Sequence, residues 1–268
     1  MKHQLIILIF ALSAMACSCG GATPKRAAST ANEQSKQLKY YTFRIVAELP
    51  HSTSDYTQGF QYADGKFWEG TGGYGSSELK VYAPYEGVPE KSVTLSRNYF
   101  GEGITLFGEE IYQLTWLKGK AFVYDRQSLR KLREYTYEGE GWGLTTDGKV
   151  LYMTDGSGKI TVRDPKTFEP LRTINVTLGG RKADKLNELE WIGGEIWANV
   201  YMTDNIYRID PESGKVLGVV DMAGVQSPLD VTYNTDVLNG IAYDPATGRI
   251  WMTGKNWNKI YQVEIVEK

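Results

Sequence analysis

The sequence predicts an all-β protein: a five-bladed β-propeller of four-stranded antiparallel blades, its ring closed by the N-terminal strand. Three observations carry this. A polar or aromatic residue, then Gly (once Glu), then an aliphatic or Phe recurs five times, at Gln58-Gly59-Phe60, Glu102-Gly103-Ile104, Trp142-Gly143-Leu144, Asn187-Glu188-Leu189 and Asn239-Gly240-Ile241. The copies start 44, 40, 45 and 52 residues apart, the period of a propeller blade. Composition agrees, because 29 glycines and 18 tyrosines in 268 residues suit many short strands joined by tight turns.

Each copy continues the same way. A turn (Asp64-Gly65, Gly108-Glu109, Asp147-Gly148, Gly193-Gly194, and Asp244-Pro245 with Gly248) leads into a second strand whose middle residue is aromatic: Trp68, Tyr112, Tyr152, Trp197 and Trp251. That row is assigned to packing between blades, since a blade buries its two faces only against its neighbours. Third strands read at 79–82, 121–124, 160–163, 206–209 and 260–263, and fourth strands at 92–95, 132–137, 171–176 and 216–222. The fifth copy stops short of a fourth strand, and the strand-like stretch 41–49 is expected to supply it.

The chain divides into a signal peptide of lipoprotein type (1–19), a flexible linker (20–38) and the propeller (39–268). Lys2 and His3 precede an apolar run too short to cross a bilayer as a mature helix, and small residues lead to Cys17, the expected lipidation site, with Cys19 the alternative. This implies an exported, periplasmic or cell-envelope protein that meets the membrane only through its lipid. Residues 20–37 carry no large apolar side chain and cannot bury enough surface to fold.

Scarcity excludes several chemistries. Both cysteines lie in the leader and the only histidines are His3 and His51, so a thiol nucleophile, a Ser-His-Asp triad or a multi-histidine zinc site has little to be built from. A net charge of −2 gives no footprint for nucleic acid. Carboxylate, amide, lysine and aromatic groups remain.

In a propeller the first strand of each blade lines the central channel, and the end of the second returns to the same rim. The rim positions are therefore Gln58, Glu102, Trp142, Asn187 and Asn239, with Gly72, Trp116, Gly156, Tyr201 and Lys255. They hold one carboxylate, one ammonium, three amides and three large aromatics, a composition suited to a mostly apolar pocket with a few placed polar groups. Asn239 is the amide best suited to satisfying backbone groups alone.

The motifs Tyr56-Thr57-Gln58-Gly59-Phe60, Phe100-Gly101-Glu102-Gly103-Ile104, Gln113-Leu114-Thr115-Trp116, Glu140-Gly141-Trp142-Gly143-Leu144, Leu186-Asn187-Glu188-Leu189-Glu190, Trp197-Ala198-Asn199-Val200-Tyr201, Leu238-Asn239-Gly240-Ile241 and Thr253-Gly254-Lys255 follow one another in order. In this the chain resembles the propeller-type glutaminyl-peptide cyclotransferases of plants and bacteria over about residues 44–265. The resemblance implies conversion of N-terminal glutamine of peptides or proteins to pyroglutamate with release of ammonia. It implies Glu102, Lys255 and Asn187 as catalytic groups, and Gln58, Tyr56, Phe100, Trp116, Trp142 and Tyr201 as substrate-binding groups. Tyr201 stands where some relatives carry Trp. No cofactor is required and no metal site is predicted; the resemblance leaves a structural ion open. Two other readings are weighed: a non-catalytic peptide-binding propeller, and a metal-dependent propeller hydrolase or lactonase. The second needs several carboxylates or amides around a cation, where the rim holds one carboxylate and a lysine.

Overall fold

A computed structural model describes residues 38–268, and strands and turns account for almost all of them. The expected leader, both cysteines and nearly all of the linker lie outside the described residues. β1 (Lys39–Pro50) is followed by an antiparallel sheet of β2 (Thr57–Ala63), β3 (Lys66–Thr71), β4 (Glu78–Tyr82) and β5 (Lys91–Thr94). A second sheet holds β6 (Gly101–Phe107), β7 (Glu110–Thr115), β8 (Lys120–Asp125) and β9 (Lys131–Thr136). The third holds β10 (Leu144–Thr146), β11 (Leu151–Thr154), β12 (Lys159–Arg163) and β13 (Pro170–Asn175). A small hairpin, β14 (Thr177–Leu178) with β15 (Arg181–Lys182), was not foreseen from the sequence.

The remaining strands are β16 (Leu186–Ile192), β17 (Glu195–Val200), β18 (Asn205–Ile209), β19 (Val216–Asp221), β20 (Leu238–Asp244), β21 (Arg249–Gly254) and β22 (Lys259–Glu267). They form one eight-stranded sheet in the order β16-β17-β18-β19-β1-β22-β21-β20. β1 runs antiparallel to β22, from Tyr41 opposite Glu267 to Pro50 opposite Lys259, and so is the outer strand that the last three strands lack. It also pairs in parallel with β19 at Lys39 to Tyr41, which the sequence did not suggest.

Buried apolar side chains gather in five clusters among the described residues, each between two groups of strands. One joins Leu79 and Val81 to Ile104 and Phe122, the next Leu114 and Val123 to Leu144 and Leu151. Ile160 and Ile174 meet Leu189 and Ile196, while Trp197 and Val220 meet Ile241 and Met252. The last joins Phe60 and Phe67 to Trp251 and Ile260, linking the earliest and latest sheets. The aromatic row is buried in every copy, as assigned. Arginines cap three of its rings, Arg126 over Trp68, Arg133 over Tyr112 and Arg208 over Trp197.

The first strands β2, β6, β16 and β20 are sheet edges, whose outward N–H groups need partners. Side chains of neighbouring groups of strands supply them. Leu106 N–H donates to Gln61 Oε1 (2.8 Å), Tyr243 N–H to Glu190 (3.2 Å) and Gly240 N–H to Asn199 Oδ1 (3.0 Å). Glu188, the one departure from Gly in the repeat, accepts from Phe60 N–H at 3.2 Å with one oxygen and from Ile241 N–H at 3.0 Å with the other. Where the repeat keeps Gly, backbones touch instead: a Cβ on Gly143 would stand 2.0 Å from the Asn187 carbonyl oxygen, and one on Gly103 would stand 2.6 Å from that of Trp142.

Candidate active site

Pairing slips at the same place in four of the first-to-second strand pairs. The register shifts between Thr57 and Gly59, Gly101 and Ile104, Leu186 and Leu189, and Leu238 and Ile241. Such bulges re-aim side chains at a strand end, and these contain Gln58, Glu102, Asn187 and Asn239. In the third sheet β10 starts late. Trp142 lies just before it, tied through its N–H to the Thr154 carbonyl (3.0 Å).

The re-aimed residues open on a cavity of about 520 Å³ lined by Tyr56, Gln58, Phe100, Glu102, Trp116, Trp142, Asn187, Tyr201 and Lys255 together with Ser54, Gly72, Gly73, Ser76 and Asn256. All nine residues named from the sequence for catalysis or binding thus share one space. Two of the ten rim positions do not reach it. Asn239 is fully buried and donates to the Thr57 carbonyl (2.9 Å) and to Gln58 Oε1 (3.2 Å). Gly156 sits behind the Trp142 ring, where a Cβ would come within 2.6 Å of it.

Gln58 in turn donates to Glu102 Oε1 (3.0 Å), so a hydrogen-bonded row runs from Asn239 through Gln58 to Glu102. Glu102 is 4% exposed. Burial pushes its carboxyl well above the usual carboxylate range, Lys255 draws it back, and Glu140 adds to the rise. The Lys255 ammonium lies over two rings, 4.7 Å from the centroid of Tyr56 and 5.0 Å from that of Tyr201. Burial lowers its pKa, with Glu102 and Asp236 opposing. Asn187 is buried, and its Oδ1, shut away from the surface, finds no protein partner.

Aromatic edges hold the walls. Phe100 meets Tyr56, Tyr74 and Trp116 edge-on, and Trp142 meets Tyr201 the same way at 5.4 Å. Two carboxylates with no role assigned from the sequence complete the frame. Asp236 accepts from the Tyr56 hydroxyl (3.0 Å). Glu140 accepts from the indole N–H of both Trp116 (2.7 Å) and Trp142 (2.8 Å). Glu140 stands inside a motif quoted above and had a signal. Asp236 lies in the long connection before β20, where only the wider 52-residue spacing hinted at added structure.

A second buried polar group lies beside the segments that line the cavity. His51 donates from Nδ1 to the Trp257 carbonyl (2.9 Å) and from Nε2 to Glu69 (3.1 Å). Thr57 and Tyr82 also donate to Glu69, each at 2.7 Å, and Lys80 pairs with Asp55. Burial opposes charge on His51, but Glu69 and Asp55 outweigh it and raise its pKa. Against its own burial, His51 and Lys80 hold Glu69 down to about 2. The ligand atoms of His51, Asp55 and Glu69 lie within 4.8 Å of one another, the spacing of a metal site. The donor set does not suit a cation, because both imidazole nitrogens already donate and the Lys80 ammonium neutralises Asp55. The group instead ties the segment carrying Tyr56 and Gln58 to the one carrying Lys255, since the Asp55 carbonyl accepts from Asn256 N–H (2.7 Å).

A family model described as glutamine cyclotransferase matches residues 12–265. A protein of Arabidopsis thaliana named glutaminyl-peptide cyclotransferase is 39% identical over 225 residues, covering 82% of this chain and 70% of the relative. The crystal structure of Myxococcus xanthus glutaminyl cyclase superposes with a TM-score of 0.82 at 34% identity, covering 87% of this chain and all of that one.

Proposed function

Because the chain belongs to the glutamine cyclotransferase family, we propose that the cavity described above carries out its reaction with Glu102 as the group that moves the proton. The protein is a glutaminyl-peptide cyclotransferase: it closes the N-terminal glutamine of a peptide or protein into pyroglutamate and releases ammonia. The attacking nitrogen is the substrate's own α-amine and the electrophile is the carbon of its side-chain amide. Holding both in reach supplies much of the rate, since the step is intramolecular.

The α-amine has a reference pKa of roughly 7.7–8.0 and is largely protonated near neutrality, whereas attack needs it free. A carboxyl with a raised pKa is matched to that task, because it takes the proton from the ammonium and returns it to the departing nitrogen. As the new C–N bond forms, the amide oxygen gains negative charge. Lys255 and the Nδ2 amide group of Asn187 donate to it, and loss of one such donor costs about 10²–10³ in turnover. Gln58 fixes the Glu102 carboxyl through its 3.0 Å hydrogen bond. Trp116, Trp142, Tyr201, Phe100 and Tyr56 enclose the glutaminyl chain. These groups perform the reaction without a metal or organic cofactor.

The observation that carries this assignment is the convergence of Glu102, Asn187 and Lys255 on one aromatic-walled cavity. The deciding experiment measures ammonia and pyroglutamyl product from a Gln-initiated peptide. The protein is expected to release both, and Glu102→Gln to fold yet lose nearly all turnover. Turnover near that of the unaltered enzyme removes Glu102 from the chemistry. Peptide binding with no ammonia from the unaltered protein favours a binding propeller.

The architecture is read as five blades, β2–β5, β6–β9, β10–β13, β16–β19 and β20–β22 with β1. The five apolar clusters, the last of which joins the earliest and latest strands, support this count. The enzyme is exported to the periplasm or cell envelope and lipid-anchored at Cys17 or Cys19. A mature N-terminus found by mass spectrometry to lack a lipidated cysteine at either position refutes the anchor.

A further inference from the structure

Trp116 follows β7 and Trp142 precedes β10, so the two indoles reach the cavity from different sheets. Packing gives each its own neighbour, Phe100 against Trp116 and Tyr201 against Trp142. What joins them is one atom. Oε2 of Glu140 accepts both indole N–H groups, at 2.7 and 2.8 Å. The connection that carries Glu140 is itself fixed, since Gly141 N–H donates to the Trp116 carbonyl (3.1 Å).

An indole N–H lies in the plane of its ring. A bond to it sets the rotation of the ring without covering either face, so the faces stay available to a ligand. Charge-assisted bonds of this kind are shorter and about twice as strong as neutral ones. Two rings sharing one acceptor cannot turn independently.

We propose that Glu140 is a positioning residue for cyclisation, its carboxylate locking the Trp116 and Trp142 rings into one fixed pair that holds the glutaminyl side chain folded against its own α-amine. This rests on the cyclisation reading above. A folded glutamine is a short-lived arrangement in water, and the enzyme gains by making it the bound one. Rings freed to rotate admit extended conformers, which bind but do not react.

The test compares Glu140→Ala with Glu140→Gln in the full chain. The glutamine keeps a carbonyl oxygen able to accept both N–H groups, and the alanine keeps nothing. Glu140→Ala is expected to lower kcat/KM for a Gln-initiated peptide about 10–100-fold, the scale of a misplaced substrate, with kcat falling more than KM rises. Glu140→Gln is expected to recover most of that loss. Tryptophan fluorescence supplies a readout free of turnover: acrylamide should quench Glu140→Ala more than the unaltered protein, and peptide should restore less protection.

Unaltered kcat/KM and quenching in Glu140→Ala overturn the proposal, as does a loss in Glu140→Gln as deep as in the alanine variant, which makes the charge rather than the clamp responsible. If Glu140→Ala does not fold, Trp116→Phe and Trp142→Phe decide. Each removes one N–H, and either is expected to loosen the other ring in the quenching assay; independent behaviour of the two rings refutes the lock. An unaltered protein that releases no ammonia overturns cyclisation, while the quenching data still report on the clamp.

Discussion

Glu102 and Glu188 are both shut away from water, and burial pushes both carboxyls upward, but their partners differ. Glu102 accepts one side-chain N–H, from Gln58, and faces the cavity. Glu188 accepts two backbone N–H groups, one on each oxygen. Replacement by glutamine should therefore act in opposite directions. A carboxyl whose folded pKa lies above its unfolded one holds its proton more tightly in the native protein, so native stability falls as pH rises from the unfolded value through the folded one. Glu102→Gln cannot ionise and escapes that fall. Its thermal midpoint should match the parent near pH 4 and exceed it at pH 8, where each 1 kcal/mol appears as about 2–4 °C for a chain of this size; a lower midpoint at pH 8 contradicts the raised carboxyl. Glu188→Gln sets an NH2 group against Phe60 or Ile241 N–H and should cost about 1–3 kcal/mol in denaturant unfolding. At this scale the sequence was informative where a residue broke the repeat, as Glu102 and Lys255 do. It was silent on Asp236 and on the His51 group, whose members are brought together only by the fold.

The bulged starts of the first strands are what turn a structural repeat into a site. A regular strand alternates its side chains between two faces, and the shifts at Gln58, Glu102, Asn187 and Asn239 break that alternation where the cavity lies. Neighbouring sheets approach closely at those points, most of all at Gly143 beneath Asn187. Gly143→Ala places a methyl group against backbone that has no room to give. It should cost about 1–3 kcal/mol by overpacking and displace Asn187, so that turnover falls more than the melting temperature alone accounts for. Retained turnover and stability together would show that the sheets are not so tightly apposed. The second and third strands of every copy were legible, because each is short and apolar. The bulges were not, since an extra residue at a strand end leaves the alternating pattern of the rest intact. The β14–β15 hairpin was missed because its four residues carry no apolar repeat.

Across the whole molecule, β1 was the boldest expectation from sequence, and it does pair as an outer strand, antiparallel to β22. Its parallel contact with β19 arises because β1 extends past the end of its partner sheet to Lys39, and nothing in residues 39–41 marks that. Removing residues 1–50 should leave β22 without its outer partner and yield insoluble protein. A soluble, active truncated chain measured by sedimentation and ammonia release would show β1 to be dispensable. The same pairing bears on how the chain reaches its native state. Tyr41 and Glu267 stand opposite each other, although more than two hundred positions separate them along the polymer. Such distant pairings are entropically late and slow. A ribosome will therefore have released the earliest strand long before its mate exists, and until then β1 is an uncommitted edge that a neighbouring nascent chain can capture. The joining of the earliest and latest segments is therefore expected late in folding, which makes that seam the place where chaperone protection should matter most.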